Sequence, residues 1–394
     1  MSTGTPRVLL ASVEDVADVR AWSGTPFHMH RALLDAGVDV VVASPLRERF
    51  ALPLKAAQLV RNTVGRTRYS RLREPVVLRG YAGQVRRLVA RVAPDVVLAP
   101  GTLPVALLDV GVPIVTWTDA TFAGMVGFYP SYSGLSARHL RLGHEMERAA
   151  LSRVALAVYS SEWAARSAVD AYGMPPERVA VVPFGANVPD PGPPAGPPAP
   201  SGPCRLLLVG RGWERKGVDL AVELTRVLRG RDVPATLDVV GSPAPPGVEV
   251  PPFVTVHGPL EKDRRDTAER IRRLYADAAF FVLPTRADCT PVVLAEAQAH
   301  GVPVLTSDVG GVASQLRPGR SGHALDLGSF VEEAARHVES AWRSPERYAA
   351  MREEARRCYE EALNWTSATA ALLRAVACAV RPGAGSGTGS GHVR

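Results

Sequence analysis

Short runs of apolar residues alternate along the chain with longer segments whose apolar positions recur every three or four residues. Short apolar runs are typical of strands buried on both faces, and the periodic segments are typical of amphipathic helices. This alternation predicts an α/β protein with two parallel-sheet domains. The runs that predict strands are 7–10, 38–43, 96–98, 114–117, 156–159, 179–182, 206–209 and 280–283, and the clearest helical segments are 28–34, 218–228 and 348–380, the last interrupted at Asn364-Trp365.

A stretch rich in Pro, Gly and Ala, residues 189–203, divides the chain and has no hydrophobic period. The chain has 394 residues, which exceeds the roughly 250–300 at which a single core usually divides. We therefore predict a first domain over 1–188, a linker over 189–203 and a second domain over 204–360. The Gly/Ser-rich end, 383–394, is predicted to be disordered.

The stretch from Asp288 to Gly301 predicts a strand-to-helix corner that carries two carboxylates. Thr290 suits the N-cap, Pro291 suits the first helical position, and Gly301 suits a left-handed stop. The free N–H groups at such a helix start suit a phosphate, and Glu296 can accept hydrogen bonds from sugar hydroxyls. The alternative is an ordinary βα unit in which Glu296 is solvated.

A second corner follows the run 206–209 and reads Gly-Arg-Gly-Trp-Glu-Arg-Lys-Gly over 210–217. Gly210 lets the backbone approach a ligand, while Arg211 and Lys216 can donate to a diphosphate. The loop is not a Walker A motif, because Lys216 is followed by Gly217. Its glycine spacing also differs from that of the dinucleotide fingerprint.

These two corners, together with Gly301-Val-Pro-Val and Val309-Gly-Gly311, resemble the donor-binding half of the family 4 retaining glycosyltransferases (glycosyl transferases group 1). The resemblance covers about residues 205–325. It implies a GT-B fold, in which two Rossmann-like domains face each other across a cleft that holds a nucleoside-diphosphate sugar. It also implies that a terminal helix, here 361–382, crosses back to the first domain.

The resemblance assigns roles to residues at both corners. Arg211 and Lys216 would hold the diphosphate, Asp288 would contact the sugar, and Glu296 would contact the ribose. Most members have Glu followed by Phe-Gly where this chain has Asp288 and Thr290-Pro291. The implied catalytic residues are Asp119, Arg211, Lys216 and Asp288, and the implied donor-binding residues are Gly24, Thr25, Gly210, Arg211, Lys216, Thr290, Pro291, Val292 and Glu296.

Two segments of the first half match the same family less closely. The loop 23–26 would face the donor phosphates and the acceptor, and a plain N-cap turn is the alternative. After the strand 114–117, most members have His-Asp where this chain has Thr118-Asp119. The resemblance puts Asp119 near the reacting centre; a capping Asx turn is the alternative for both residues.

The charge of the chain is concentrated in one segment. The net charge is +7, and twelve Lys and Arg stand against two Glu between residues 46 and 91. Such a segment can lie on an anionic membrane surface or bind an anionic acceptor. A solvated basic face is the alternative that we favour. A nucleic-acid partner is not predicted, because no recognition motif accompanies the charge.

Several classes of protein are disfavoured by what the sequence contains. The four cysteines have no paired spacing that would predict a disulfide framework or a zinc site. No apolar run has the length of a signal peptide core or a membrane span. We therefore predict a cytoplasmic protein, which the basic segment would place at the inner membrane face if the membrane interpretation holds.

The predicted activity is transfer of a hexosyl group from a nucleotide sugar to an acceptor hydroxyl, with retention as the resemblance implies. The sequence has no Asp-x-Asp pair to chelate a metal. We therefore expect Arg211, Lys216 and helix ends to neutralise the diphosphate, with no metal and no cofactor. A GT-B-shaped sugar epimerase and a nucleotide-sugar-binding protein without turnover are the alternatives.

Overall fold

A computed structural model describes residues 6–48, 50–64, 68–193 and 202–380 of the chain. Part of the predicted linker and the predicted disordered end, 383–394, lie outside these residues. The described residues form two six-stranded parallel sheets with helices packed on them. The predicted α/β class with two parallel sheets is therefore confirmed.

The first sheet is built from the first half of the chain. Its strands are β1 (Arg7–Ala11), β2 (Asp39–Ala43), β3 (Val96–Ala99), β4 (Ile114–Thr118), β5 (Leu156–Tyr159) and β6 (Val179–Val181). The helices of this half are α1 (Thr25–Asp35), α2 (Ala51–Val64), α3 (Pro75–Val92), α4 (Phe122–Met125), α5 (Ala137–Arg153) and α6 (Glu162–Tyr172). The strand order is β2-β1-β3-β4-β5-β6.

The second sheet also consists of six parallel strands. Its strands are β7 (Cys204–Val209), β8 (Ala235–Val240), β9 (Val254–Gly258), β10 (Phe280–Leu283), β11 (Val304–Ser307) and β12 (Gly322–Leu325). The helices are α7 (Val218–Gly230), α8 (Arg265–Asp277), α9 (Val293–Ala299), α10 (Phe330–Trp342), α11 (Pro345–Ala362) and α12 (Trp365–Val380). The strand order is β12-β11-β10-β7-β8-β9. No helix in the described ranges is long and apolar enough to cross a membrane.

The apolar runs form strands because both faces of each sheet are covered. Every residue of β5 and β10 is buried, as expected for strands packed between two layers of helices. Each predicted strand is present, with ends that differ by two residues at most. Four strands of the second sheet, namely β8, β9, β11 and β12, were not identified from the sequence.

Each sheet has a point where the strand order reverses. It lies between β1 and β3 in the first sheet and between β7 and β10 in the second. Ligands of open α/β sheets bind in the crevice outside the carboxyl ends of the strands at such a point. The loops that leave β1 and β7 contain the two glycine-bearing segments that the sequence singled out.

The last two helices connect the halves of the molecule. Helix α11 packs on α9 of the second half, whereas α12 packs on α1 of the first. Between them, Asn364 Oδ1 accepts a hydrogen bond from the backbone N–H of Ser367 at 2.8 Å, which caps α12. The predicted interruption at Asn364-Trp365 is confirmed. Buried Leu372 of α12 belongs to the same apolar cluster as Met29 and Leu33 of α1.

Candidate active site between the two sheets

A cleft of about 420 Å³ lies between the two halves, and residues from both line it. The first half contributes several of the residues 19–25, together with Asp119, Tyr129 and Phe184. The second half contributes residues from the loops that follow its strands. Nine of the predicted site residues line this cleft: Thr25, Asp119, Gly210, Arg211, Lys216, Asp288, Thr290, Pro291 and Val292. Gly24 and Glu296 lie behind its surface.

The loop 210–217 carries Lys216 into the cleft. A Cβ atom on Gly210 would lie 2.8 Å from the Lys216 side chain, so the missing side chain makes room for the lysine stem. Gly217 has φ +71°, and a Cβ there would lie 2.0 Å from the carbonyl oxygen of Pro284. Gly210 is needed because the lysine packs closely against it. Gly217 is needed both for close packing and for its left-handed backbone conformation.

Asp288 is the acceptor on which several donors of the second half converge. Lys216 Nζ donates to Asp288 Oδ2. Arg215 Nη1 and Thr285 Oγ1 both lie 3.4 Å from the same oxygen. Asp288 and Lys216 are 8% and 6% exposed. In the free protein the carboxylate therefore has cationic partners that a bound phosphate could share.

Arg215 is closer to the centre of the site than Arg211. Arg211 is exposed at the rim, where it pairs with Glu261 at 3.2 Å. Arg215 instead donates to Ala287 O at 2.8 Å, and its guanidinium lies 5.9 Å from the centre of the Tyr129 ring. Sequence reasoning passed over Arg215, although it stands next to Lys216 in the same loop.

Glu296 is fully buried, which excludes the alternative of a solvated surface residue. Lys262 Nζ donates to its Oε1 atom, and Tyr275 OH donates to Oε2 at 3.0 Å. The carboxylate is thus held within the wall, one layer behind the cleft surface that Lys262 lines. Sequence reasoning missed Lys262, since it stands in a loop after β9 with no motif around it.

The start of α9 differs from the sequence prediction. The helix begins at Val293 with Val292 as N-cap and no side-chain cap, so the predictions of Thr290 as cap and Pro291 as first helical residue are wrong. The Thr290 hydroxyl is hydrogen bonded instead to Ser160 Oγ of the first half, at 2.6 Å. The hydroxyl group that the local sequence pattern assigns to helix capping is thus bonded to a residue far away in the sequence.

The loop before α1 has an unusual backbone. Trp22, Ser23 and Gly24 all have positive φ, at 43°, 58° and 88°. The side chain of Asn187 holds this loop, because its Nδ2 atom donates to Ser23 O at 2.8 Å. Ser23 makes no capping hydrogen bond to α1, so the interpretation as a plain N-cap turn does not apply. Two non-glycine residues in this conformation indicate strain that the surrounding contacts sustain.

Asp119 lies in the cleft at the end of β4. Burial raises its pKa from 3.8 to about 7, and the negative charge of Asp288 acts in the same direction. The Trp22 side chain opposes this effect. Thr118 is buried in the strand, and the N-cap of α4 is Thr121, whose side chain accepts from Gly124 N at 3.1 Å. Neither Thr118 nor Asp119 caps that helix.

The two halves are joined by hydrogen bonds beside the site. Tyr129 OH accepts from the backbone N–H of Cys289 at 2.9 Å, next to the contact between Ser160 and Thr290. Further out, the backbone N–H of Glu162 donates to Ser314 Oγ at 3.3 Å. The residues that flank Asp288 are thus positioned by the first half of the chain as well as by the second.

Two family descriptions match the chain. Residues 27–188 match "Glycosyltransferase Family 4", and residues 203–344 match "Glycosyl transferases group 1". The first segment contains most of the first sheet, and the second contains the second sheet with the loop 210–217 and both carboxylates.

Curated relatives match over part of their length. The chain is similar to the D-inositol 3-phosphate glycosyltransferase of Nocardia farcinica, with 33% identity over 174 residues, 40% of this chain and 38% of that protein. The enzyme of the same name from Gordonia bronchialis is 28% identical over 234 residues, 55% of this chain and 50% of that protein. The match therefore spans half of the relatives' length or less.

Solved structures resemble the chain over nearly its whole length. The sucrose-phosphate synthase of Thermosynechococcus elongatus superimposes with a TM-score of 0.66 at 15% identity, covering 95% of this chain and 100% of that one. The Anabaena protein HepE, in complex with UDP and glucose, gives a TM-score of 0.59 at 14% identity, also covering 95% and 100%. At these identities the likeness establishes the arrangement of the two sheets and nothing about ligands.

Proposed function

Because this chain belongs to the family 4 glycosyltransferases of GT-B fold, we propose that it transfers a hexosyl group from a nucleoside-diphosphate sugar to an acceptor hydroxyl with retention. The donor would lie in the cleft between the sheets, with its diphosphate against the second half. The acceptor would approach from the first half, on the side of Asp119.

The observation that carries this proposal is the set of cations around one cleft. Arg211, Arg215, Lys216 and Lys262 of the second half all line it. A nucleoside diphosphate brings negative charge to this wall, and Arg and Lys have more N–H donors than their present partners use. Lys216 can thus keep its bond to Asp288 and still donate to a phosphate oxygen.

The same cations favour departure of the leaving group. When the bond between the anomeric carbon and the phosphate oxygen breaks, negative charge develops on the nucleoside diphosphate. Fixed cations near that oxygen stabilise the transition state more than the ground state. The acceptor oxygen forms the new bond to the same carbon, and its proton passes to the departing phosphate, the route that the family resemblance implies.

We propose further that the reaction needs no divalent metal, because Lys216 and Arg215 supply positive charge where a metal would. Turnover should therefore persist after dialysis against EDTA, with little gain on adding Mg²⁺ or Mn²⁺. Activity that EDTA abolishes and Mn²⁺ restores would overturn this part of the proposal. The proposal that the protein transfers a sugar would not be affected by that result.

The first experiment is a thermal-shift screen of nucleoside-diphosphate sugars, since a ligand of the folded state raises the apparent melting temperature. Donors that bind are then incubated with a panel of hydroxyl acceptors. Inositol phosphates belong in the panel because the relatives' names mention D-inositol 3-phosphate. Mass spectrometry identifies the glycosylated product, and NMR of its anomeric proton gives the configuration. An inverted product would contradict retention, and an epimerised donor without transfer would favour an epimerase.

A further inference from the structure

Helix α2 exposes an apolar stripe to solvent. Leu52, Leu59 and Val60 are 81%, 70% and 60% exposed. Pro53 and Ala56 are exposed as well. At about 100° per residue these five positions fall on one side of the helix. Scattered exposed apolar residues are ordinary, but a continuous stripe on one element marks an interaction surface.

Helix α2 is held on the first half of the protein by both polar and apolar contacts. Its inward side carries polar groups that bind the protein: Gln58 Oε1 accepts from Arg71 at 2.9 Å, and Asn62 Oδ1 accepts from Tyr69 N at 2.7 Å. Leu54 adds a partly buried apolar contact on this side. These polar and apolar contacts together fix the orientation of the helix, so Leu52, Leu59 and Val60 face outward.

The charge at the edge of the stripe is positive. Helix α2 contains no acidic residue; Lys55 is exposed beside the stripe, whereas Arg61 lies on the opposite side of the helix, with its guanidinium 4.8 Å from the centre of the Tyr69 ring. The exposed side chains of Arg47 and Arg68 flank it in the sequence. The two acidic residues of the segment are already paired, Glu48 with Arg71 and Glu74 with Arg138. The surface thus combines outward apolar side chains with uncompensated basic ones.

We propose that α2 is a membrane-docking helix that lies in the headgroup region of an anionic lipid surface. Leu52, Leu59 and Val60 would enter the upper acyl region, while Lys55 and its basic neighbours would contact anionic headgroups. A symmetric dimer through this face would set the same basic residues against one another, which disfavours a second copy as the occupant.

Cosedimentation with vesicles tests this surface. The protein should bind vesicles of phosphatidylcholine with phosphatidylglycerol, bind those of phosphatidylcholine alone much less, and lose binding as salt increases. The double substitution Leu52→Asp with Leu59→Asp should reduce the partition coefficient about tenfold or more. Lys55→Glu should reduce it less and remove part of the salt dependence.

Val248→Asp is the matched control, since Val248 is 43% exposed and belongs to the second half. It should bind vesicles as the wild type does. The melting temperatures of all variants are compared, because the changed side chains are exposed and should leave folding intact. Equal binding to neutral and anionic vesicles, wild-type binding by the double variant, or a wild-type dimer that the double variant dissociates would each overturn the proposal. None of these outcomes depends on whether transfer is detected.

Discussion

Lys262 covers Glu296, whose side chain has no exposed surface. The ammonium group of Lys262 donates a hydrogen bond to the Glu296 carboxylate. Tyr275 OH occupies the other carboxylate oxygen at 3.0 Å. Under the proposed function, a ribose would reach this carboxylate only after Lys262 has moved. Since the Lys262 side chain is 31% exposed, it has room to turn toward a diphosphate in the cleft.

Replacing Lys262 with Met should destabilise the free protein. The change leaves a buried carboxylate with one hydroxyl partner, and an unsatisfied buried group costs about 1–3 kcal/mol. Urea denaturation measures the free energy of unfolding. Lys55→Met, at an exposed site, is the control and should change it by less than about 0.5 kcal/mol. Adding Glu296→Gln to Lys262→Met should recover part of the loss; equal stability of Lys262→Met and wild type would contradict the structural role.

Replacing Lys216 with Ala should remove most turnover while the protein remains folded. The change deletes the cation nearest Asp288, and loss of one transition-state donor typically lowers kcat by about 10²–10³. Release of nucleoside diphosphate measures the rate, and circular dichroism checks the fold. Arg205→Ala, which removes an exposed pair with Asp277 of the same half, should keep wild-type rates. A wild-type rate for Lys216→Ala would remove Lys216 from the site.

The sequence predicted the parts of this site that depend on local pattern. Apolar runs identified β7 and β10, and the glycines around Lys216 marked a loop that lines the cleft. Thr290 was misassigned because its hydroxyl binds Ser160, 130 positions away along the chain. Lys262 was missed for a related reason: its partner lies 34 positions away on another element. Contacts of this kind follow from the packing of the two sheets, which no local pattern contains.

Gly217→Ala should be much more destabilising than Gly37→Ala. Both glycines have positive φ, at +71° and +77°. An added methyl meets nothing within 4 Å at Gly37, whereas at Gly217 it would lie 2.0 Å from Pro284 O. Gly37→Ala should therefore cost about 1 kcal/mol for the backbone conformation alone. Gly217→Ala should cost roughly 3 kcal/mol or more, or shift the loop. Similar urea midpoints for the two variants would show that the loop 210–217 is not tightly packed against Pro284, the residue that follows β10.

The raised pKa of Asp119 predicts a specific dependence of stability on pH. The folded protein keeps this proton up to about pH 7, whereas the unfolded chain releases it near the ordinary pKa of 3.8. The contribution of Asp119 is therefore fully present below about pH 4 and is lost as the pH rises toward 7. Urea unfolding between pH 4 and pH 8 should show the wild type losing stability relative to Asp119→Asn across this window.

Donor affinity should follow the same titration. An ionised Asp119 repels the diphosphate, so wild-type affinity should fall as the pH rises through about 7, the folded-state pKa of this carboxyl. Asp119→Asn cannot ionise at this position and should show a flatter profile by isothermal titration. Asp35→Asn, at an exposed position on α1, is the control and should keep the wild-type profile. If wild type and Asp119→Asn give the same pH dependence, Asp119 does not face the donor diphosphate.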